Sequence, residues 1–159
     1  MQNRRLELFR SRFGRVHERS AALIQLVPDE RLYWRPRETP NSMAPFSCGE
    51  FVLRSAGVVE QTFGGITTRL WDDPFEWTLP EKLSTKASVL EYLADVEATT
   101  EKGFAFLASD ESLDREIPAP TELRQILAIL VETLAAAEHF QGRAYAIFGC
   151  FSDEKLPRP

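Results

Sequence analysis

Residues 132–143 read Glu132-Thr-Leu-Ala-Ala-Ala-Glu-His-Phe-Gln-Gly-Arg143, and this stretch decides the predicted fold. It lies in a long apolar helix that the pattern predicts over about 121–148. On the inner face of this helix, Ala136 and Phe140 are four residues apart, the spacing at which two side chains on one helix face can bind a single ion. Both side chains are hydrocarbon and cannot bind a metal. The helix therefore has the spacing of a metal-binding helix and lacks the ligands.

Three further helices are predicted upstream, over about 5–27, 47–63 and 85–108. Apolar side chains that recur every three or four residues indicate one buried face on each helix. In the first helix these side chains are Leu6, Phe9, Phe13, Val16, Leu23 and Val27. No strand is predicted anywhere in the chain.

Local signals set the expected helix ends. Ser47 followed by Glu50 is a capping box, which predicts the start of the second helix, and Gly64-Gly65 is expected to end it. Thr85 is the predicted cap of the third helix. Thr121, after two prolines, is the predicted cap of the fourth.

The four helices predict an all-α four-helix bundle that forms a single domain over 1–159. At a rise of about 1.5 Å per residue, their lengths match one another. Residues 66–84 form a long connection, which is uncommon unless it crosses a bundle or covers a site. We therefore expect a long crossover between the second and third helices, and short links elsewhere.

Composition and charge bear on the expected partners. The net charge is −5, yet the first twenty residues contain six arginines against two glutamates, a charge of +4, which leaves −9 for the rest. With an acidic body, a solvated helix face is the favoured interpretation, and no nucleic-acid partner is expected. No apolar run approaches the ~18 residues of a membrane span, so no membrane partner is expected. Two widely separated cysteines fit a cytoplasmic protein.

Three motifs in order carry a family resemblance. They are Leu26-Val-Pro-Asp-Glu-Arg-Leu-Tyr-Trp-Arg-Pro36, Ser47-Cys-Gly-Glu-Phe-Val-Leu-Arg54 and Glu138-His-Phe-Gln-Gly-Arg143. They resemble the turn, the second-helix start and the end of the fourth helix in the DinB-like (DinB/YfiT) superfamily. The resemblance implies an up-down-down-up bundle, a homodimer, and a divalent ion bound by one histidine from the second helix and two from the fourth. Characterised relatives include thiol transferases and thiol-dependent isomerases.

The resemblance places the three metal positions at Arg54, Ala136 and Phe140. None of these side chains binds a metal, so we expect no metal and no cofactor at this site. A buried Arg54 needs a counter-ion. Glu132 is the favoured partner and Glu50, one turn before Arg54, is the other candidate. The alternatives are an Arg54 that reaches water at the bundle end or one that binds an anionic ligand.

The two histidines and one cysteine leave further alternatives open. His139 is either a general base or a hydrogen-bonding residue at the edge of the core or of a dimer face, and the second interpretation is favoured. His17, His139 and Glu60 are the residues from which a displaced metal site could be built, although their spacing gives it no support. Cys48, near the start of the second helix, is expected to be inertly buried.

Three classes of function remain from sequence. The first is a metal-free DinB-like protein that binds a small molecule, with an anion as the favoured type, between the second and fourth helices. The second is a non-enzymatic, dimeric interaction or scaffold protein in which the ancestral site is closed. The third is a metal-dependent thiol transferase or hydrolase with displaced ligands. Metal-dependent catalysis is the least favoured of the three.

Overall fold

The structure, a computed structural model, describes residues 3–36, 46–74 and 81–158. Its four long helices confirm the predicted all-α bundle. They are α1 (Arg4–Leu26), α2 (Cys48–Thr68), α3 (Lys86–Leu107) and α4 (Ile126–Phe148), and a two-stranded sheet of β1 (Glu116–Pro118) and β2 (Leu123–Gln125) precedes α4. Short 3-10 turns lie over Asp29–Arg31 and Asp110–Asp114.

Contacts at the helix ends give the relative directions of α1, α2 and α3. The Lys86 ammonium, at the start of α3, donates to the carbonyl of Gln25 at the end of α1, 2.9 Å away. These two helices are therefore antiparallel. Phe63 and Phe104 lie toward the C-terminal ends of α2 and α3 and have ring centroids 5.0 Å apart, so α2 and α3 are parallel.

The fourth helix runs antiparallel to α2. Phe51 near the start of α2 stacks on Phe140 in the second half of α4. Farther along α2, the hydroxyls of Thr62 and Thr133 are 2.7 Å apart. The helix directions are therefore up, down, down and up, as predicted. Because α2 and α3 are parallel, their connection must cross the length of the bundle, which confirms the expected crossover.

The prediction that Gly64-Gly65 ends the second helix is wrong. The helix continues to Thr68 and ends at Arg69, which has a left-handed φ of 65°. Gly65 instead allows the Trp71 ring to pack closely against α2, because a Cβ at Gly65 would lie 2.3 Å from Cδ2 of Trp71. A glycine inside a helix can mark a contact as well as an end.

The predicted start of the fourth helix at Thr121 and the predicted absence of strands are also wrong. Residues 116–125 form a hairpin in which Ile117 pairs with Arg124 in antiparallel register. The amide of Ile126 then donates to the carbonyl of Arg115, 2.9 Å away, as the helix begins. The strands are three residues each, and so short a run carries too little periodicity to be recognised from sequence.

The connections on either side of the crossover are not short, which corrects a further expectation. Residues 27–47 and 108–125 are each at least as long as the crossover over 69–85. Both contain side chains that pack into the core, since Leu32 and Leu113 are fully buried. Leu32 and Leu113 thus extend the core beyond the helices.

The arginines of α1 meet acidic residues of the following segments. The Arg5 guanidinium donates to both carboxylate oxygens of Asp114, at 3.0 and 2.8 Å, and Arg10 forms an ion pair with Glu101. Part of the basic charge of the first twenty residues is thus neutralised within the chain. Of the helices described here, none combines the length and apolarity needed to cross a bilayer.

Candidate functional site

The register of α2 against α4 brings the three predicted metal positions to one level of the bundle. The hydroxyl of Ser55 donates to the carbonyl of Ala137, 2.7 Å away, and these residues adjoin Arg54 and Ala136. One turn earlier on α2, Phe51 stacks on Phe140 with ring centroids 6.4 Å apart and an interplanar angle of 26°.

A cluster of three rings and two guanidinium groups occupies this level. We call it the guanidinium–phenyl cluster, and its members are Phe46, Phe51, Arg54, Phe140 and Arg143. The Arg54 guanidinium carbon lies 4.1 Å from the centroid of Phe46, and that of Arg143 lies 5.8 Å from the centroid of Phe51. Phe46 meets Phe51 edge to face at 5.6 Å. Aromatic faces attract guanidinium groups through their quadrupole, so the rings hold two positive charges beside α2 and α4.

The side chains of the cluster differ in their exposure to solvent. Phe51 is buried, Phe46, Arg54 and Phe140 are half-buried, and Arg143 is exposed. Ala136 is also half-buried. No ion pair of Arg143 with another described residue is found, so its guanidinium is available to an anion from solution.

The predicted ion pair between Arg54 and Glu132 is wrong. Glu132 pairs with Arg124, at the end of the hairpin, and its neighbour Thr133 contacts Thr62 of α2. Thr62 is eight residues from Arg54, about 12 Å along the helix at 1.5 Å per residue. The antiparallel register therefore places Glu132 two turns away from the cluster.

Glu50, the second candidate partner of Arg54, has a structural role. Its carboxylate accepts from the Arg35 guanidinium at 2.7 Å and from the amide of Ser47 at 2.7 Å, which completes the predicted capping box. Burial alone would raise the pKa of Glu50, but the hydrogen bonds from Arg35 and Ser47 outweigh it and leave the pKa below its usual value. The cap is thus strongest with Glu50 ionised.

The residues of the hypothetical displaced metal site have separate partners. His17 lies 3.1 Å from a carboxylate oxygen of Glu97 on α3, and Glu60 accepts a 2.6 Å hydrogen bond from the Tyr92 hydroxyl. His139 is exposed, with its ring 5.6 Å from that of Phe140. Within residues 3–36, 46–74 and 81–158, no three His, Cys, Asp or Glu side chains are grouped as metal ligands. These donors are therefore not brought together.

A small, partly open cavity that sequence reasoning missed lies between α1, α2 and α3. It measures about 40 Å³ and is lined mainly by apolar surface, with Ser20, Ser55, Thr100 and His17 among its residues. A water needs about 10–15 Å³ of such space, so the cavity can hold about three waters. Sites for small organic ligands are about 300–1,000 Å³. The cavity is therefore too small for such a ligand.

The two cysteines lie in different environments. Cys48 is fully buried and Cys150 is exposed, and neither forms a disulfide. Burial raises the pKa of the Cys48 thiol to about 12, which outweighs any lowering by the start of α2. Inert burial of Cys48 is confirmed.

Comparisons with known proteins add no family to these observations. No family model, no curated protein and no solved structure matches this chain. The all-α bundle is shown by the helices themselves. The DinB-like resemblance stays a prediction that rests on the three sequence motifs.

Proposed function

We propose that this protein is a DinB-like bundle that acts without the three-histidine metal site and binds a small anionic molecule between α2 and α4. One observation carries the proposal. The position where the resemblance expects a metal-binding histidine is occupied by Arg54, whose guanidinium lies 4.1 Å from the centroid of Phe46. The positive charge of an ion is thus replaced by the positive charge of a side chain.

The cluster contains the two kinds of group that such a ligand needs. Arg54 and Arg143 provide donors that suit a carboxylate or a phosphate. The half-buried ring of Phe140 provides an apolar surface next to them. An anion with a flat apolar part, such as an aromatic carboxylate, fits this combination, because the ring faces and the charge lie side by side.

Binding is tested by calorimetric titration of metal-free protein with aromatic carboxylates such as benzoate. We expect saturable binding that is lost in Arg54→Gln and Arg143→Gln. Arg4→Gln is the matched control, since it removes one exposed arginine at the start of α1. Equal weakening in all three variants would reduce the effect to general charge and contradict the proposal. Stoichiometric zinc, nickel or manganese in untagged protein would contradict its metal-free part.

An interaction protein is the second candidate function, and the outer surface of α4 favours it. Val131 is 52% exposed and Ala135, one turn later, is also exposed. Apolar and small side chains on one outer face allow two helices to approach closely. We propose a homodimer that packs through this face.

Sedimentation equilibrium tests the dimer. Val131→Glu should produce a monomer if α4 forms the interface, while Leu8→Glu, at an equally exposed position on α1, should leave the dimer intact. A wild-type protein that remains monomeric at high concentration would contradict the homodimer proposal and would leave the anion-binding proposal unaffected.

A further inference from the structure

A groove between α1 and α4 lies apart from the guanidinium–phenyl cluster. It has a volume of about 330 Å³ and is lined by Arg12, Arg19, Glu138, Gln141, Gly142 and Tyr145. Its charged side chains are two arginines and one glutamate, so the groove is locally positive on a chain whose net charge is −5.

Arg19 is the more enclosed of the two arginines. Its side chain is only 14% exposed, and its distance to the Glu138 carboxylate is 3.6 Å. Its hydrogen bond to the carbonyl of Arg15 is 3.3 Å long. Charge-assisted hydrogen bonds of guanidinium groups are normally about 2.7–2.9 Å. The contacts of Arg19 are therefore long, and the guanidinium retains the capacity for a closer anion.

Arg12 adds a second positive charge at the same groove. It is exposed, and no ion pair joins it to another residue in the described part of the chain. It lies seven residues before Arg19, which puts both side chains on one face of α1. Each has a long stem, so both guanidinium groups can converge on one ligand.

Tyr145 contributes a buried hydroxyl without a partner. Its oxygen is enclosed and makes no hydrogen bond with any residue that the structure describes. Burial raises the pKa of Tyr145, although nearby Arg19 opposes the rise, so the hydroxyl remains a neutral donor. A buried polar group without a partner is unfavourable and is rare in folded proteins. A ligand oxygen between Arg19 and Tyr145 would satisfy both.

Gln141 and Gly142 form the floor of the groove. The Gln141 amide donates to the carbonyl of Val16 at 2.7 Å and to the hydroxyl of Ser20 at 2.8 Å, which ties α4 to α1. A Cβ built at Gly142 would meet nothing within 4 Å. The groove is thus held open by a buried hydrogen-bond bridge, with space above the glycine for a ligand.

We propose that this groove binds a phosphate monoester, whose phosphate lies between the guanidinium groups of Arg12 and Arg19 and accepts from the Tyr145 hydroxyl. Two cations and one carboxylate leave an excess positive charge, which suits a dianion better than a neutral molecule. A phosphate also offers several acceptor oxygens, and arginine binds such groups in a bidentate manner. Glu138, Gln141 and Gly142 belong to the third sequence motif, whereas none of the residues that line the groove belongs to the α2–α4 cluster.

The test uses the full-length protein and glycerol 3-phosphate as the probe. Calorimetric titration at constant ionic strength should give saturable binding. Arg19→Gln should weaken it by about tenfold or more, since hydrogen bonds to charged groups are the strong ones. Arg4→Gln, which removes an exposed arginine outside the groove, should bind as the wild type does.

Two further variants separate binding from folding. Tyr145→Phe should bind the probe more weakly and yet unfold at the same or a higher temperature, because it removes a hydroxyl that has no partner. Gly142→Leu should remain folded, since its Cβ has space, and should block the groove.

The proposal has clear contradicting results. Equal weakening in Arg19→Gln and Arg4→Gln would overturn it, because it would reveal charge screening alone. Binding to phosphatidylcholine vesicles that contain phosphatidic acid, without binding to glycerol 3-phosphate, would support the site and identify a lipid headgroup as the source of the phosphate monoester, whereas absence of binding to both probes would overturn the proposal.

Discussion

Replacing Arg54, Ala136 and Phe140 together by histidine should create a zinc site between α2 and α4. The prediction follows from the register. Ser55 bonds to Ala137, so the three positions lie at one level of the interface. Two histidines four apart on α4 and one on α2 would then converge, with water as the fourth ligand. The variant tests the DinB-like resemblance through the geometry that it implies.

The magnitude can be worked from the contacts that are lost and gained. Loss of the ring stacking at Phe140 costs about 0.5–1.5 kcal/mol, and loss of the cation–π contact of Arg54 costs about 0.5–1 kcal/mol. The metal-free variant should therefore unfold below the wild type. Zinc at about a hundred times its dissociation constant stabilises by about 2.7 kcal/mol. At about 2–4 °C per kcal/mol for a chain of this size, the midpoint should rise by roughly 5–11 °C.

The assay is thermal unfolding with and without zinc, with a chelator added to reverse the shift. Ala135→His is the matched control, because it forms a pair with His139 on the exposed side of α4 at the same spacing. That pair lacks a ligand from α2 and should give a much smaller shift. A triple variant that is folded, yet shifts no more than this control, would show that the three positions do not converge and would refute the register argument.

Three other predictions concern the core and the cap. Glu50→Gln should be less stable than the wild type at neutral pH, because the ionised cap contributes stability above the unfolded-state pKa of about 4.3. That contribution is lost as the pH falls through the lowered pKa of the native carboxyl. The unfolding free energies of the variant and the wild type, measured in urea, should therefore converge at low pH. Gly103→Ala places a Cβ 2.2 Å from Cδ1 of the fully buried Phe63. It should lower the free energy of unfolding, measured by thermal unfolding, by about 1–3 kcal/mol. Gly142→Ala should instead raise it by up to about 1 kcal/mol. Maleimide should label one thiol in the native protein and reach Cys48 only after denaturation, as counted by mass spectrometry; rapid labelling of both native thiols would contradict its burial.

Local sequence signals predicted the helices well because they depend on neighbours in the chain. The Ser47 and Thr85 caps are formed as expected, since a cap joins a side chain to an amide three residues away. The apolar spacing of α1 likewise predicted its buried face. Gly65 shows the limit, because only the position of Trp71, brought back by the chain, explains why that glycine is needed.

The candidate site was predicted only in part. The family resemblance placed Arg54 and Phe140 as neighbours across α2 and α4, and both belong to the guanidinium–phenyl cluster. The partner of Arg54 was predicted wrongly, because several carboxylates were compatible with the sequence and a shift of two turns along α4 changes which one is near. The groove at Arg19 and Tyr145 was not predicted, although Glu138, Gln141 and Gly142 stand in the third motif, since its parts come from two helices and an unpaired hydroxyl has no local signature.

The sequence alone determined that this protein forms four long helices, where most of their ends lie, and that histidine is absent from the positions where the resemblance places a metal. These properties follow from periodicity, capping and side-chain chemistry, which act within a few residues. Only the tertiary structure decided which charges meet, that a hairpin precedes α4, and that a positive groove lies between α1 and α4. Those properties depend on the relative placement of helices far apart in the chain, which is set by packing of the whole core.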